Sequence, residues 1–505
     1  MKTAKKKPPK VAKKPVKKTK LKALIRKKPS IRSKTSSLGS QIDDIFDVWN
    51  RNDSPGMAIA VRHNGNVVYR NGYGGADLDH QIYNSHDTVF HAASLTKQFT
   101  AMAIMMLIND PSLANPAITP ITLDTNVNAS TNPLIPELGG ITLPDGTPQP
   151  ITIRQLLGHT SGIRDQWVLA TMAGWRLSDD VVTRDDVMNR FVGLSRSLNF
   201  APGSKYSYSN TNYTIAAEIV KKVSGLSLSA FCKQHIFDPL GMTKTKIIET
   251  HGTIVEDRAY GYRTPPLTGV GWEVRMPNYD LTGPTNLRTT VDDLMLWDAN
   301  FDTMTVGGAA AFAEMQTPGL GGYGLGLFIS EQGNIRVVEH NGRDAGYRSH
   351  LIRVPNQNLS IALLANLALP DSQQTWTLVR KVAALYLGAT SLPLPPQGPV
   401  PGATSGPPPS NPGEFTGQFH SDELDVTYTL SLNGTAIQIT REKYATVTLS
   451  PLTAADTFKT MSPFSNVLSK VKFTFYREQG QIAGFSMDDI SGQDQLSNIK
   501  FRKMP

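Results

Sequence analysis

Phe90-His91-Ala92-Ala93-Ser94-Leu95-Thr96-Lys97-Gln98-Phe99 is the stretch whose reading decides this chain. From Leu95 onward, apolar residues at 95, 99, 102, 103 and 106 have the spacing of a helix with a buried face. Ser94 stands where that helix begins and Lys97 is three residues on, so both side chains share one face. A serine hydroxyl is a weak nucleophile until a base takes its proton. Lysine serves as that base when desolvation or nearby positive charge lowers its pKa. A helix start also offers unpaired backbone N–H groups that favour negative charge. One turn therefore supplies a nucleophile, a base and part of an oxyanion hole. Ser-x-x-Lys recurs at Ser497 to Lys500, so the pattern needs support from elsewhere in the chain.

The bulk composition fits a protein with a proper core. At 505 residues the chain has room for two or three domains. Its longest apolar run, Ala101 to Ile108, falls far short of the ~18 residues of a membrane helix. The formal charge of +9 is unevenly spread. Of 51 basic residues, 16 lie in residues 1–34, leaving 35 against all 42 acidic residues. Residues 1–37 are expected to be a basic disordered tail, because charge without large apolar groups cannot offset ordering entropy. Such a tail either solubilises the chain or contacts nucleic acid, an anionic surface or a targeting receptor. Leu21 to Ile25 is too short for a secretory h-region. Cys232 is the sole cysteine, which excludes an intrachain disulfide. Both features favour a cytoplasmic location.

The chain then alternates helix and strand signals. Ser40 to Asn50 reads as a helix, with Ile42, Ile45, Phe46 and Trp49 on one side. Met57 to Val61 and Val67 to Tyr69 flank Asn64-Gly65, a hairpin signal. Ile151 to Leu157 restarts a helix that ends at Gly158-His159-Thr160-Ser161-Gly162, read as a capped turn lining the site. Helices are predicted over Tyr213 to Val223, Ser229 to Phe237, Val291 to Phe301 and Gln374 to Leu387. Strands are predicted over Tyr323 to Ile329 and Ile335 to Glu339, with His340-Asn341-Gly342 following, then a hairpin of Tyr347 to Val354 and Leu359 to Leu364. The nine prolines between Ser391 and Pro412 mark a linker. The alternating short runs of Phe415 to Lys503 suggest a small all-β barrel or sandwich.

Three elements line up in order: Ser94-x-x-Lys97, Tyr208-Ser209-Asn210 and His340-Asn341-Gly342. Tyr69-Arg70-Asn71 and His63-Asn64-Gly65 are local decoys for the last two. The ordered set resembles the serine β-lactamase and penicillin-binding-protein superfamily, on the side of class C β-lactamases, D-aminopeptidases and related esterases. Pro55-Gly56-Met57, Leu156-Leu157-Gly158-His159-Thr160-Ser161-Gly162, Ala201-Pro202-Gly203 and Asp238-Pro239-Leu240-Gly241-Met242 extend the likeness. The resemblance implies an α+β domain at 38–389, an antiparallel sheet flanked by helices. A Pro-rich linker at 390–413 follows, then an all-β, lipocalin-like domain at 414–505. It implies an acyl-enzyme at Ser94, proton transfers shared by Lys97 and Tyr208, and a Tyr208 pKa lowered by the Lys97 ammonium. Asn210 would hold Lys97 and the substrate amide. The backbone N–H groups of Ser94 and Arg343 would hold the oxyanion. Gly342 would let substrate lie along the strand edge, with His340 and Asn341 beside it.

Two departures shape the expected substrate, a small molecule or short peptide. Dedicated β-lactamases usually carry Lys-Thr-Gly where this chain has His340-Asn341-Gly342. A histidine is only partly charged near neutral pH, so ester, D-amino-acid amide or peptide substrates are expected rather than penicillins. Gly283-Pro284-Thr285-Asn286-Leu287 stands where many relatives have Gly-Gly-Leu, in a loop expected to line the site. The chain shows no Gly-x-Ser-x-Gly, His-Glu-x-x-His or Gly-x-x-x-x-Gly-Lys and no metal-ligand histidine spacing, so neither metal nor cofactor is expected. The competing readings are a non-catalytic binding or scaffold protein and a nucleic-acid-associated protein acting through the tail.

Overall fold

Alternating side chains on one strand explain the layering. The structure, a computed structural model, describes residues 37–194, 197–265, 269–368, 373–388, 392–394, 404–461, 463–465, 470–491 and 495–505. The expected basic tail, apart from Ser37, and part of the Pro-rich linker lie outside these residues. The elements that position the site are α1 (Ser37–Phe46), β1 (Met57–His63), β2 (Asn66–Tyr73), α2 (Thr96–Asn109), α3 (Asn210–Ser224) and α4 (Val291–Thr303). They continue with β3 (Phe328–Gln332), β4 (Ile335–Asp344), β5 (Tyr347–Val354), β6 (Leu359–Ala365) and α5 (Gln373–Leu387).

The strands form one antiparallel sheet in the order β3-β4-β5-β6-β1-β2. Met57, Ile59 and Val61 of β1 pack with Phe46 of α1 and Val379 and Val382 of α5. Ala58 and Ala60 face the other way, into a core with Phe99 and Met102 of α2 and Trp297 of α4. The period of two thus sends large residues to one face and small ones to the other. The small ones admit α4 close against β1. The hairpin signal holds: Asn64 and Gly65 take φ of 50° and 81° between β1 and β2.

Several boundaries differ from the sequence reading. Helix α3 starts at Asn210, not Tyr213, and runs to Ser224, capped by Gly225 with φ 78°. The helix predicted over Ser229 to Phe237 begins at Leu228 and widens after Cys232. Strand β3 begins at Phe328 rather than Tyr323. Strand β4 does not end at Glu339. It carries His340, Asn341 and Gly342 within it, opposite Leu351, His350 and Ser349 of β5. Pairing with β3 stops at Glu339, so the last part of β4 has no β3 partner.

The C-terminal region resolves the barrel-or-sandwich alternative. Eight antiparallel strands close on themselves: β7 (Gly417–Ser421), β8 (Val426–Asn433), β9 (Ala436–Thr440), β10 (Val447–Pro451), β11 (Thr457–Thr460), β12 (Val471–Glu478), β13 (Gln481–Asp489) and β14 (Ile499–Lys503). Aromatic rings fill the interior, among them Phe419, Phe475, Phe485 and Phe501. The barrel docks on the segment after Gly162. Tyr428 Oη donates to the Met172 carbonyl at 2.6 Å, and Tyr444 Oη to the Trp175 carbonyl at 2.5 Å. Among the described residues, no helix is long and apolar enough to cross a membrane.

Candidate active site

Every residue of α2 from Thr96 to Met105 is buried, so each polar side chain there needs a partner. Thr96 Oγ1 donates to the Ala93 carbonyl at 2.6 Å and Thr100 Oγ1 to the Gly283 carbonyl at 2.8 Å. Gln98 Oε1 accepts from Trp297 Nε1 at 2.9 Å. Lys97 is the remaining case, and its ammonium form has the most to lose from burial.

Ser94 sits in a tight turn, Ala93–Leu95, immediately before α2. Ala93 takes φ 47°, a left-handed conformation that costs a non-glycine residue on the order of 1 kcal/mol. Strand β4 presses on this turn. A Cβ on Gly342 would lie 2.6 Å from the Ala92 carbonyl oxygen and 2.2 Å from Ser349 Oγ. Gly342 is therefore required by close backbone approach to the serine turn, in addition to any role along a strand edge.

Lys97 Nζ lies 3.0 Å from Ser94 Oγ, 2.9 Å from Asn210 Oδ1 and 2.9 Å from the Pro284 carbonyl oxygen. The carbonyl and the amide oxygen only accept. A neutral amine has two N–H bonds for them and one lone pair left, which faces the serine hydroxyl. Burial, opposed by the charges of Asp165 and Asp344, lowers the Lys97 pKa to about 7. Lys97 is thus uncharged in a large fraction of molecules near neutral pH.

Tyr208 departs from the sequence expectation. Lys97 Nζ does lie over its ring, 4.8 Å from the centroid. Burial nevertheless dominates and raises the phenol above its ordinary pKa, with only a hydrogen bond to Ser94 working the other way. Tyr208 therefore remains a protonated donor toward the serine oxygen, and Lys97 is the group tuned to accept a proton. His340 also differs. It is buried, and burial followed by the charge of Lys97 lowers its pKa to about 3. Its Nδ1–H donates to the Asn341 carbonyl at 2.6 Å, and Tyr323 Oη donates to Nε2 at 3.0 Å. The expected partly charged imidazole is a neutral one.

Asn210 is fixed before it meets Lys97. Asp165 Oδ2 accepts from the Asn210 backbone N–H at 2.6 Å and from Nδ2 at 2.8 Å. Asp165 Oδ1 accepts from the N–H groups of Trp167 and Val168, capping the helix Gln166–Met172. The amide is thereby turned so that Oδ1 faces the amine. Arg343 lies on β4 beyond the last β3 pair, with its side chain exposed. His159, in the predicted turn, packs tilted against Tyr208 with ring centroids 4.2 Å apart and accepts from the Ser209 N–H through Nδ1 at 3.2 Å. The Gly283 to Leu287 loop lines the site through the Gly283 and Pro284 carbonyls.

The structure thus brings Ser94, Lys97, Tyr208, Asn210 and His340 together and leaves the decoys apart. Tyr69 and Asn71 bind Asp43 of α1, and Ser497 binds Asn199. Sequence reasoning missed Asp165, although an Asp ahead of an apolar run is an N-cap signal. It also missed Asp344, which shares a β4 face with Gly342 by the period of two. The Asp344 carboxylate accepts from Thr285 Oγ1 at 2.9 Å and pairs with His91 Nε2 at 2.7 Å.

Residues 42–384 match the Beta-lactamase family. The chain belongs to that family. Among curated relatives, it is 28% identical over 318 residues to a D-aminopeptidase of Gluconobacter oxydans (strain 621H), covering 62% of this chain and 56% of that protein. It is 25% identical over 358 residues to a D-aminopeptidase of Brucella ovis, covering 68% and 61%. The matched region therefore spans less than two thirds of these relatives' lengths. Among solved structures, the penicillin-binding protein homologue from Pyrococcus abyssi superposes with a TM-score of 0.57 at 22% identity, over 93% of this chain and all of that one. The D-amino acid amidase from Ochrobactrum anthropi SV3, complexed with L-phenylalanine amide, gives 0.55 at 22% identity, over 70% of this chain and 100% of that one. Both show the shared Beta-lactamase fold.

Proposed function

We propose that this Beta-lactamase family member is a metal-free serine hydrolase acting on small D-aminoacyl amides or short peptides. The observation that carries the reading is the Lys97 amine, buried and held between two acceptors with its third direction toward Ser94 Oγ. Ser94 transfers its proton to Lys97 Nζ while Oγ bonds to the substrate carbonyl carbon. The carbonyl oxygen becomes an oxyanion, held by the backbone N–H groups of Ser94 and Arg343. Loss of one such donor typically costs ~10²–10³ in rate. Collapse breaks the C–N bond, and the departing amine takes up a proton that Lys97 supplies and Tyr208 relays. Water then attacks the ester at Ser94 by the reverse proton path, releasing the acid and restoring the serine.

The substrate class rests on two supports. The two curated relatives compared above are named D-aminopeptidases. The neutral His340 supplies no fixed positive charge for a penicillin carboxylate. Esters with a good leaving group fit the same chemistry, since they need less help from the proton relay. The unit 38–389 would carry the reaction, with the barrel of 414–505 as its companion.

Hydrolysis of D- and L-aminoacyl p-nitroanilides tests the reading, alongside p-nitrophenyl esters and nitrocefin. D-anilide turnover that disappears in Ser94→Ala is the expected result. Equal turnover by Ser94→Ala, or no acyl adduct on Ser94 by mass spectrometry with any of these substrates, would sink it.

A further inference from the structure

We infer that Arg164, clamped by Glu423 of the barrel, is a positioning residue for Lys97, so that the barrel completes the active site. The inference rests on the reading of Ser94 and Lys97 as the acylating pair.

The chain of contacts is continuous. The Arg164 side chain is 1% exposed and ion-pairs through Nη1 with Glu423, which lies between β7 and β8. Its Nη2 donates to the Ser497 carbonyl at 2.8 Å, in the segment entering β14. The guanidinium is thus gripped by two separate parts of the barrel. The Arg164 carbonyl accepts from Thr211 Oγ1 of α3 at 2.7 Å. The next residue, Asp165, is 2% exposed and holds both the backbone and the side-chain N–H of Asn210. Asn210 Oδ1 in turn receives Lys97 Nζ at 2.9 Å. One peptide unit separates the residue the barrel grips from the residue that sets the amide.

The chemistry makes that link consequential. A buried guanidinium needs a carboxylate, and the barrel supplies one. Without it, the guanidinium keeps the Ser497 carbonyl but loses the carboxylate it ion-pairs with, and a peptide unit that shifts as the side chain readjusts carries Asp165 with it. The amine's lone pair then no longer points at Ser94 Oγ. A shift of about 1 Å at a catalytic group costs roughly 10²-fold.

The test uses the full chain and saturation kinetics of fluorophosphonate labelling at Ser94. Glu423→Gln and Glu423→Ala are expected to label to full stoichiometry with a maximal rate constant lower by up to roughly 10²-fold. The half-saturating probe concentration should stay unchanged. Glu423→Asp should recover most of the rate. Tyr444→Phe, which removes a barrel contact remote from Asp165, should keep it. An unchanged rate constant in both Glu423 variants overturns the inference. So does reduced stoichiometry at an unchanged rate constant, because that reports folding alone. Equal slowing in Tyr444→Phe also overturns it, in favour of general docking. A wild-type chain that no probe labels overturns the hydrolase reading and this inference together, an outcome distinct from all the others.

Discussion

The Pro284 carbonyl oxygen accepts a hydrogen bond from Lys97 Nζ at 2.9 Å, although the two residues are 187 positions apart. That carbonyl sits in the Gly283 to Leu287 loop, and its backbone oxygen asks only for a donor. With Asn210 Oδ1 it occupies both N–H bonds of a neutral amine, and the remaining lone pair points to Ser94.

Acylation should therefore titrate with Lys97. The folded pKa is lowered to about 7, so the amine accepts a proton above that pH and is blocked below it. The acylation rate should rise tenfold per pH unit below about 7 and level off above it. Presteady-state acylation with an activated ester, measured from pH 5 to 9, checks this. A rate still rising tenfold per unit at pH 9 would mean that the Lys97 pKa stays near the free-lysine value of about 10.4 and that burial does not tune the amine.

The same shift has a stability consequence with a definite sign. The folded pKa lies below the unfolded one, so between about 7 and 10.5 the unfolded chain binds more protons. Stability should rise with pH across that window, relative to a chain without the amine. Lys97→Met is the reference, and it should abolish acylation. The difference in thermal midpoint between wild type and Lys97→Met should move in favour of wild type from pH 7 to 10. A difference that stays flat would mean the amine is solvated.

Gly342 supports a prediction of another kind. An added Cβ would lie 2.2 Å from Ser349 Oγ and 2.6 Å from the Ala92 carbonyl oxygen. The first neighbour is a short side chain and the second is backbone of the serine turn. Gly342→Ala should destabilise by ~1–3 kcal/mol, as overpacking does, and slow acylation by displacing Ser94. Combining it with Ser349→Ala relieves only the side-chain clash. The double variant should regain part of the stability and little of the rate, by denaturation and probe labelling.

Much of this was legible in the chain itself, for physical reasons. Ser94 and Lys97 lie on one helical turn, so local geometry alone brings them together. Asn64-Gly65 and Gly225 sit at turns whose positive φ the residue types announce. The distant contributions were not legible. The Pro284 carbonyl is backbone, which any residue would supply. Asp165 acts through Asn210, across 45 positions. The states of Tyr208 and His340 depend on burial, which spacing does not report. That β4 runs on past Glu339 through Gly342 was not legible either, because tight packing on Ala92 from a distant segment is what asks for the glycine.

His340 gives the last prediction. Its pKa is lowered to about 3, first by burial and then by the Lys97 charge, and its two ring nitrogens are already bonded to Asn341 and Tyr323. It stays neutral throughout the physiological range, so KM should show no histidine limb between pH 5 and 8. A protonated ring would lose the Tyr323 bond to Nε2, since both nitrogens would then be donors. His340→Lys places a cation against a site whose own lysine is already short of solvent. The second charge should push the Lys97 pKa down further, moving the acylation midpoint to lower pH. An anionic β-lactam should then bind better, seen as a lower KM for nitrocefin. A KM for nitrocefin that is unchanged by His340→Lys, with the acylation midpoint also unmoved, would show that residue 340 does not face the reacting pair.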